Sequence, residues 1–525
     1  MSGMSATGRA GIASIETAPA TGSARAVSRL PAWWPLAALT LLAAVLRLAT
    51  LNLQSFWFDE AYTPVHVLHA SLWATLRGVS RTENTPPLWY VLAWADSRVL
   101  GTGEVALRLP SALAGIAAVP VAWAIGAELE CPPTRRAAIV CAALVTFNPL
   151  FVWYSQEARA YGLYVLTAAL AMLCFLRAER DPTRRRMAAF ALTGALALLS
   201  HYFAVFLLIP MVLWLLWRRR TRMAALPAVA VIAIVGAALV PLIIAQGGQN
   251  TQWIGEWALS QRLEAIPQYY LTGYSGLPLG HSIELLVALP IFAGLALGLW
   301  RMSDPQPASR RSQPRDMAAL RGVLLPLSIA ACGVLIPIVM IAFGADYLAP
   351  RNLVAAMIPV TAVIAVLVVW PGTGRAGVAL AATIALGFLA ISVDVDLSPS
   401  LQRGNWRDLA RAIRGAPRER AVTTVELGSA PLEYYLPGLH NLHTRTSVLV
   451  REIDETGYEP LLASAAEPPA PGFRLVARLD VDGLFVYRFV SPVARLVSEA
   501  TLRRHVISHA GPPEVLVPAG SQVSS

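Results

Sequence analysis

A chain of 525 residues with 56% hydrophobic and only 14% charged side chains is not a string of soluble domains, which carry about a quarter charged residues. Its mean hydropathy of +0.55 and its recurring apolar runs of about 18 residues or more define a polytopic membrane protein. The formal net charge is +10 and the sequence holds no lysine; its arginines cluster between apolar runs, which points to membrane topology and away from nucleic acid.

Residues 1–32 are polar and rich in Ala, Ser, Gly and Thr, the composition of a disordered cytoplasmic segment. The apolar run that follows shows no cleavage site and reads as an uncleaved first helix. Spans are predicted at 33–53, 107–128, 137–154, 161–177, 187–200, 203–217, 224–245, 282–300, 322–344, 352–370 and 376–393, about eleven in all. The stretch 187–217 is divided at Ser200, His201 and Tyr202, because one helix of that length at about 1.5 Å per residue would overrun a hydrocarbon core of about 30 Å. With the N-terminus inside, the arginine-rich connections (Arg135 and Arg136, Arg184 to Arg186, Arg218 to Arg220, Arg301) face the cytoplasm. The short outer loops hold little beyond Arg159, Arg262 and Arg351. That asymmetry follows the positive-inside rule.

Two outer loops result, at about 54–106 and 246–281, the second rich in Trp, Tyr and Gly. In the first, Ala61, Val65, Leu68, Leu72, Leu76 and Val79 recur at helical spacing and predict one amphipathic helix lying in the interface. The membrane unit is thus 33–393, followed outside by a small α/β domain at 394–492. In that domain "NWRDLARAIRGA" reads as a helix, and "RAVTTVEL" and "FRLVARLDVDGLFVYRFV" read as strands. Residues 493–525 are expected to be disordered. Cys131, Cys141, Cys174 and Cys332 lie in or beside apolar runs without a CxxC pair, so neither a disulfide framework nor a thiolate metal site is indicated.

Four polar spots fall on the outer side: Asp59 and Glu60 in "QSFWFDEAYT", "TENTPPLWY" at 82–90, "YSQEARAY" at 154–161 and "DYLAPRNL" at 346–353. Any one of them reads as a solvated helix cap. Their shared side, with Arg47 inside the first span and Arg108 opening the second, points to partners in a cleft. His201 sits at the outer hinge of a hairpin and is a further candidate for its lining. No DxD element in a cytoplasmic domain and no phosphate-cradling glycine loop supports a nucleotide-sugar substrate.

The string "LRLATLNLQSFWFDEAYT…ENTPPLWYVLAWADSRVLGTGEVALRLPSALAG…SQEARAYGLYVL" resembles the GT-C superfamily of membrane glycosyltransferases. Within it the likeness is to the protein O-mannosyltransferase and lipid A aminoarabinose transferase (ArnT-like) branch, over about residues 35–220. The resemblance implies an all-α, GT-C-like membrane domain in a bacterial inner membrane, with its C-terminal domain extracytoplasmic. It also implies inverting transfer of a monosaccharide from a polyprenyl-phosphate carrier to a hydroxyl of a lipid, polysaccharide or protein on the outer face. Asp59 is then the candidate general base, by its place in the motif and because a poor hydroxyl nucleophile needs a carboxylate within reach. Arg159 and Arg351, with Arg108 behind them, are candidates for the donor phosphate, and Glu60, Glu83, Glu157 and His201 line the site. Thr85 stands where relatives often carry His before the Pro pair, which weakens the case for their metal; Asp59, Glu83 and Glu157 are what an all-oxygen site would use. No other cofactor is assigned. A multi-span transporter or lipid flippase is the competing reading, although no paired repeat is visible; a non-catalytic subunit acting through its tail is the third.

Overall fold

A computed structural model describes residues 33–130, 133–247, 251–273, 281–303, 313–415, 419–425, 427–508, 511 and 513–524. The expectation of disorder for 1–32 lies outside the described residues. Helix α1 (Trp34–Leu48) leads to a long first loop carrying α2 (Phe58–Tyr62), α3 (Leu72–Thr82) and α4 (Leu88–Leu100). The chain returns through α5 (Glu104–Leu129), α6 (Arg136–Phe147), α7 (Pro149–Ser155) and α8 (Tyr161–Arg180). The predicted hairpin is α9 (Arg184–Ser200) and α10 (Ala204–Trp217), followed by α11 (Arg219–Gln246). The second long loop holds α12 (Gln252–Glu256) and α13 (Leu259–Thr272); α14 (His281–Ser303), α15 (Gln313–Ile341), α16 (Met357–Val368) and α17 (Gly374–Leu397) complete the membrane unit. Every predicted span thus falls on a helix. Seven of the described helical segments are long and apolar enough to cross a membrane, or eight with α6–α7 as one bent span.

The bend of 56° between α6 and α7 has a chemical cause. Pro149 has no N–H for the Val145 carbonyl, and the Leu150 N–H that would serve Thr146 goes to Asn148 Oδ1 at 3.0 Å. Arg47, fully buried on α1, donates to both orphaned carbonyls at 3.0 Å and to Ser155 Oγ at 3.2 Å. Gly115 of α5 passes so close that a Cβ there would lie 2.0 Å from Ser155 Oγ. At the opposite end of the bundle, buried Glu179 pairs with Arg218 and Arg321, tying α8 to the next helices.

The predicted interfacial helix is broken. Pro64 offers no N–H to the Glu60 carbonyl, so the chain widens into a π-turn over Thr63–Val67, closed by Leu68 N–H on the Thr63 carbonyl at 2.9 Å. A new helix starts only where Ser71 Oγ caps Ala74 N–H at 3.1 Å. The break frees α2 to turn Glu60 into the bundle.

Beyond α17, residues 398–405 form a strap into the C-terminal domain. There α18 (Trp406–Ile413), capped by Asn405 on Asp408 N–H, and α19 (Ser429–Tyr435) pack on a sheet, with α20 (Glu499–Arg504) later in the chain. The strands are β1 (Arg420–Thr424), β2 (Leu439–Asn441), β3 (Ser447–Tyr458), β4 (Arg474–Val481), β5 (Leu484–Ser498), β6 (Glu514–Pro518) and β7 (Val523–Ser524). Their order is β2-β6-β1-β3-β5-β4, with β7 on β3; β1 and β3 run parallel and the other pairs antiparallel. Asp482 and Gly483, both at positive φ (53° and 86°), make the tight turn that joins β4 to β5. Phe485, Tyr487 and Phe489 of β5 face one core, and Leu484 and Val486 the other, against Trp406 and Leu409.

The tail from 493 departs from the expected disorder. Residues through Ser498 extend β5, and β6 inserts between β2 and β1, burying Val515, Leu516 and Val517. A chain ending at Ser508 should therefore lose the protease-resistant C-terminal fragment in limited proteolysis, whereas one ending at Gln522, which lacks only β7, should keep it.

Candidate active site

Helix α2 starts from the extended Trp57 (ψ −178°) and runs a little over one turn. Successive residues on a helix point about 100° apart, so Asp59 and Glu60 cannot share an environment. Glu60 points in and is fully buried. Arg108 of α5 grips it with both arms, Nε to Oε1 at 2.7 Å and Nη2 to Oε2 at 2.6 Å, and Ala158 N–H adds a third bond at 2.8 Å. Burial alone would raise the Glu60 pKa; Arg108, Arg403 and those hydrogen bonds outweigh it and hold the carboxyl below its ordinary value.

The remaining donors of Arg108 go to the carbonyls of Leu51, Gln54 and Ser55 at 3.0, 2.7 and 3.1 Å. All five N–H groups are used, and the side chain is 1% exposed. This corrects the expectation for Arg108: it fixes the 51–60 segment and has no edge left for a phosphate. Glu60 likewise lies beneath the site as its support, not in its lining.

Asp59 points out of the bundle and meets Arg351, Nη1 to Oδ2 at 2.8 Å, with 18% and 22% of the two side chains exposed. Arg351 rides on the 3-10 turn Pro350–Ala356 and lies over the Trp253 ring, 4.9 Å from its centroid. The loop before it is pinned by Arg262 of α13, whose fork takes both Asp346 oxygens at 2.6 and 2.8 Å. Those hydrogen bonds hold the Asp346 carboxyl below its ordinary pKa. The Trp-rich second loop thus builds one wall of the cleft.

Arg159 forms the other wall. Its Nη2 donates to Glu83 at 2.9 Å and its Nη1 to the Asp59 carbonyl at 3.3 Å; Tyr90 Oη donates to the same Glu83 oxygen at 2.5 Å. Burial and the Glu83 charge push the Tyr90 phenol well up, so it stays a donor. Gly162 makes this wall fit: a Cβ there would stand 2.8 Å from the Ser111 carbonyl.

Glu157 and His201 are both buried behind these pairs. Glu157 does not bond Arg159. Its Oε2 receives Arg403 Nη2 at 3.1 Å, and its Oε1 has no hydrogen-bond partner. Burial, against Arg403 but reinforced by Glu60 and Asp59, pushes its carboxyl up to about 7. His201 accepts Phe203 N–H at 3.2 Å and stacks on Tyr164 with centroids 4.6 Å apart. Burial, with Arg351 and Arg159 adding, lowers its pKa to about 3, so the ring is a neutral wedge.

Arg403 was missed in the sequence. It lies in the strap, over the Trp153 ring at 4.1 Å, with its N–H on Gln54 Oε1 at 3.0 Å. Its only local signal is a charge between the last span and a capped helix. The all-oxygen metal site is not supported: Asp59, Glu83 and Glu157 each engage a different arginine, and no group of three metal-binding side chains gathers among the described residues.

Residues 84–244 match the family model described as dolichyl-phosphate-mannose-protein mannosyltransferase. ArnT from Cupriavidus metallidurans, bound to undecaprenyl phosphate, superposes with a TM-score of 0.52 over 87% of this chain and 98% of that one, at 12% identity. This chain has an ArnT-like fold. The same ArnT in its apo state gives 0.51 over 86% and 97%, at 14% identity. The Archaeoglobus fulgidus oligosaccharyltransferase aligns over 77% of this chain and 57% of its own, with 17% identity and a TM-score of 0.45. A sequence search of curated proteins returned no match. The matched family segment contains Glu157, Arg159 and His201, while Asp59, Arg351 and Arg403 lie outside it.

The closed and open pairs should separate in stability. Glu60→Gln leaves Arg108 buried without its counter-charge and should cost about 3–5 kcal/mol, whereas Arg351→Gln, at a partly exposed pair, should cost about 1 kcal/mol or less. Unfolding in matched detergent checks this; equal losses would contradict the division.

Proposed function

We propose that this chain is a glycosyltransferase of a bacterial inner membrane, with its N-terminus cytoplasmic and its C-terminal domain extracytoplasmic. It moves a monosaccharide from a polyprenyl phosphate to a hydroxyl of a lipid, polysaccharide or protein. The observation that carries this reading is the half-open Asp59–Arg351 pair set among closed ones at the outer ends of the helices. An ion pair open to a cleft can be exchanged: a lipid phosphate takes Arg351 and leaves the Asp59 carboxylate free as a base.

The acceptor oxygen then forms a bond to the sugar C1 while its proton passes to Asp59. The bond from C1 to the phosphate oxygen breaks, and its electron pair leaves with the lipid phosphate. Charge grows on that phosphate as the bond breaks, which Arg351 and the neighbouring Arg159 stabilise. Attack opposite the leaving group inverts C1. Arginine asymmetry supports the orientation, since the short loops bearing Arg159 and Arg351 hold little other arginine while the opposite connections are arginine-rich.

The bent α6–α7 pair is a feature transporters share, but its break is closed by Arg47 and Asn148. Membranes from a host lacking the gene, given a panel of radiolabelled polyprenyl-phosphate sugars, test the reading. Label should move into a product with one donor, and Asp59→Asn should lower the rate by about 10²- to 10⁴-fold. Undiminished transfer by Asp59→Asn sinks the base; lipid-linked sugar crossing the bilayer with no covalent product sinks the enzyme.

A further inference from the structure

The membrane helices alone do not complete this site. The strap 398–405 runs directly behind α2, and its contacts converge on the segment that presents Asp59. Ser55 Oγ donates to the Gly404 carbonyl at 2.8 Å and accepts Trp406 N–H at 3.1 Å. Gln54 Oε1 accepts Arg403 N–H, and Phe56 N–H donates to Tyr435 Oη at 2.7 Å. Arg407 bonds both Glu104 oxygens and the Gln54 carbonyl. Residues 54–56, immediately before α2, are therefore held from one side by Arg108 and from the other by the C-terminal unit.

Arg403 is the charged side chain of the strap itself, and it is 9% exposed. Its Nη2 is on Glu157 Oε2, its Nε is 3.9 Å from Glu60 Oε2, and Trp153 lies flat beneath it. We propose that Arg403 is a positioning residue of the transfer reaction, supplied by the C-terminal strap, which fixes Glu157 and the α2 turn so that Asp59 faces the cleft. The inference rests on the glycosyltransferase reading above.

Charge explains why a cation is needed here. Asp59, Glu83 and Glu157, with Glu60 beneath them, gather four carboxyls here, and Arg351, Arg159, Arg403 and Arg108 answer them one for one. Without Arg403 the Glu157 carboxyl stands near Asp59 with its nearest cation gone, where an anionic lipid phosphate must enter. The groups acting on Glu157 are Arg403 from the strap, Glu60 and Asp59 from α2, and Arg351 from the 3-10 turn. Losing the strap's cation leaves two acids against one more distant arginine, so the Glu157 proton is held to higher pH.

The test uses the full chain in nanodiscs, comparing wild type with Arg403→Gln, Arg403→Lys, Glu157→Gln and the double Arg403→Gln/Glu157→Gln. Infrared difference spectra of wild type minus Glu157→Gln read the protonated carboxyl of Glu157 without any turnover. Its titration should move to higher pH in Arg403→Gln and back toward wild type in Arg403→Lys. With the donor that wild type uses, kcat should fall by about a hundredfold in Arg403→Gln, the scale expected of a misplaced reacting group. The donor KM should change far less, Arg403→Lys should recover much of the rate, and the double variant should be no slower than Arg403→Gln. Should Arg403→Gln fail to fold, Arg403→Lys and the double variant carry the comparison. An unchanged Glu157 titration, a wild-type rate in Arg403→Gln, or losses that multiply in the double variant would overturn the proposal. Wild type that transfers no sugar, with Glu157 still titrating as described, would instead overturn the glycosyltransferase reading.

Discussion

The buried pair between Glu60 and Arg108 is the constraint on which the rest of the site depends. It joins the short α2 turn to the longest-range framework of the bundle, and it consumes every donor that Arg108 has. A charge taken from water is costly unless its partner and its remaining hydrogen bonds are all in place. Here they are, and the result is rigidity: with Glu60 locked inward, Asp59 must emerge on the other side of the turn. Adjacent acids in an apolar chain are thus two devices, one anchoring and one facing the cleft.

The other ion pairs follow the same logic at different depths. Arg262 and Asp346 pin the loop that delivers Arg351, while Arg159 stands between Glu83 and the Asp59 carbonyl. Burial grades what each pair can do. Those sealed in the protein hold geometry, and the pair with both members partly in water is the one a ligand can open without an unpaired buried charge. Backbone defects nearby are closed in a similar way, with Arg47 serving the carbonyls that Pro149 strands.

Much of this was legible in the sequence, because spans, hairpin division and the four polar outer spots are local patterns of hydropathy and spacing. Asp59, Glu83, Arg159 and Arg351 come together as their motifs suggest. What a local pattern does not carry is which neighbour a charge meets. Arg108 looked like a phosphate ligand because the carbonyls of Leu51, Gln54 and Ser55 are invisible in a string of letters. Arg403 was overlooked because its partner Glu157 is far away in the chain and the strap has no periodicity. The first-loop stripe kept helical spacing straight through Pro64, yet the missing N–H ended the helix. In the tail, the short run "EVLVP" sits among Gly, Pro and Ser, and only its place between β2 and β1 makes it a strand.

The central claim is that Arg351 exchanges Asp59 for a lipid phosphate within a framework that otherwise stays closed. A structure of the full chain in nanodiscs with a bound polyprenyl phosphate tests it most directly. The account predicts the phosphate within hydrogen-bond distance of Arg351 and beside Arg159, with the Asp59–Arg351 bond opened and Glu60 still on Arg108. A phosphate seated elsewhere, with Asp59 and Arg351 still joined, would contradict it.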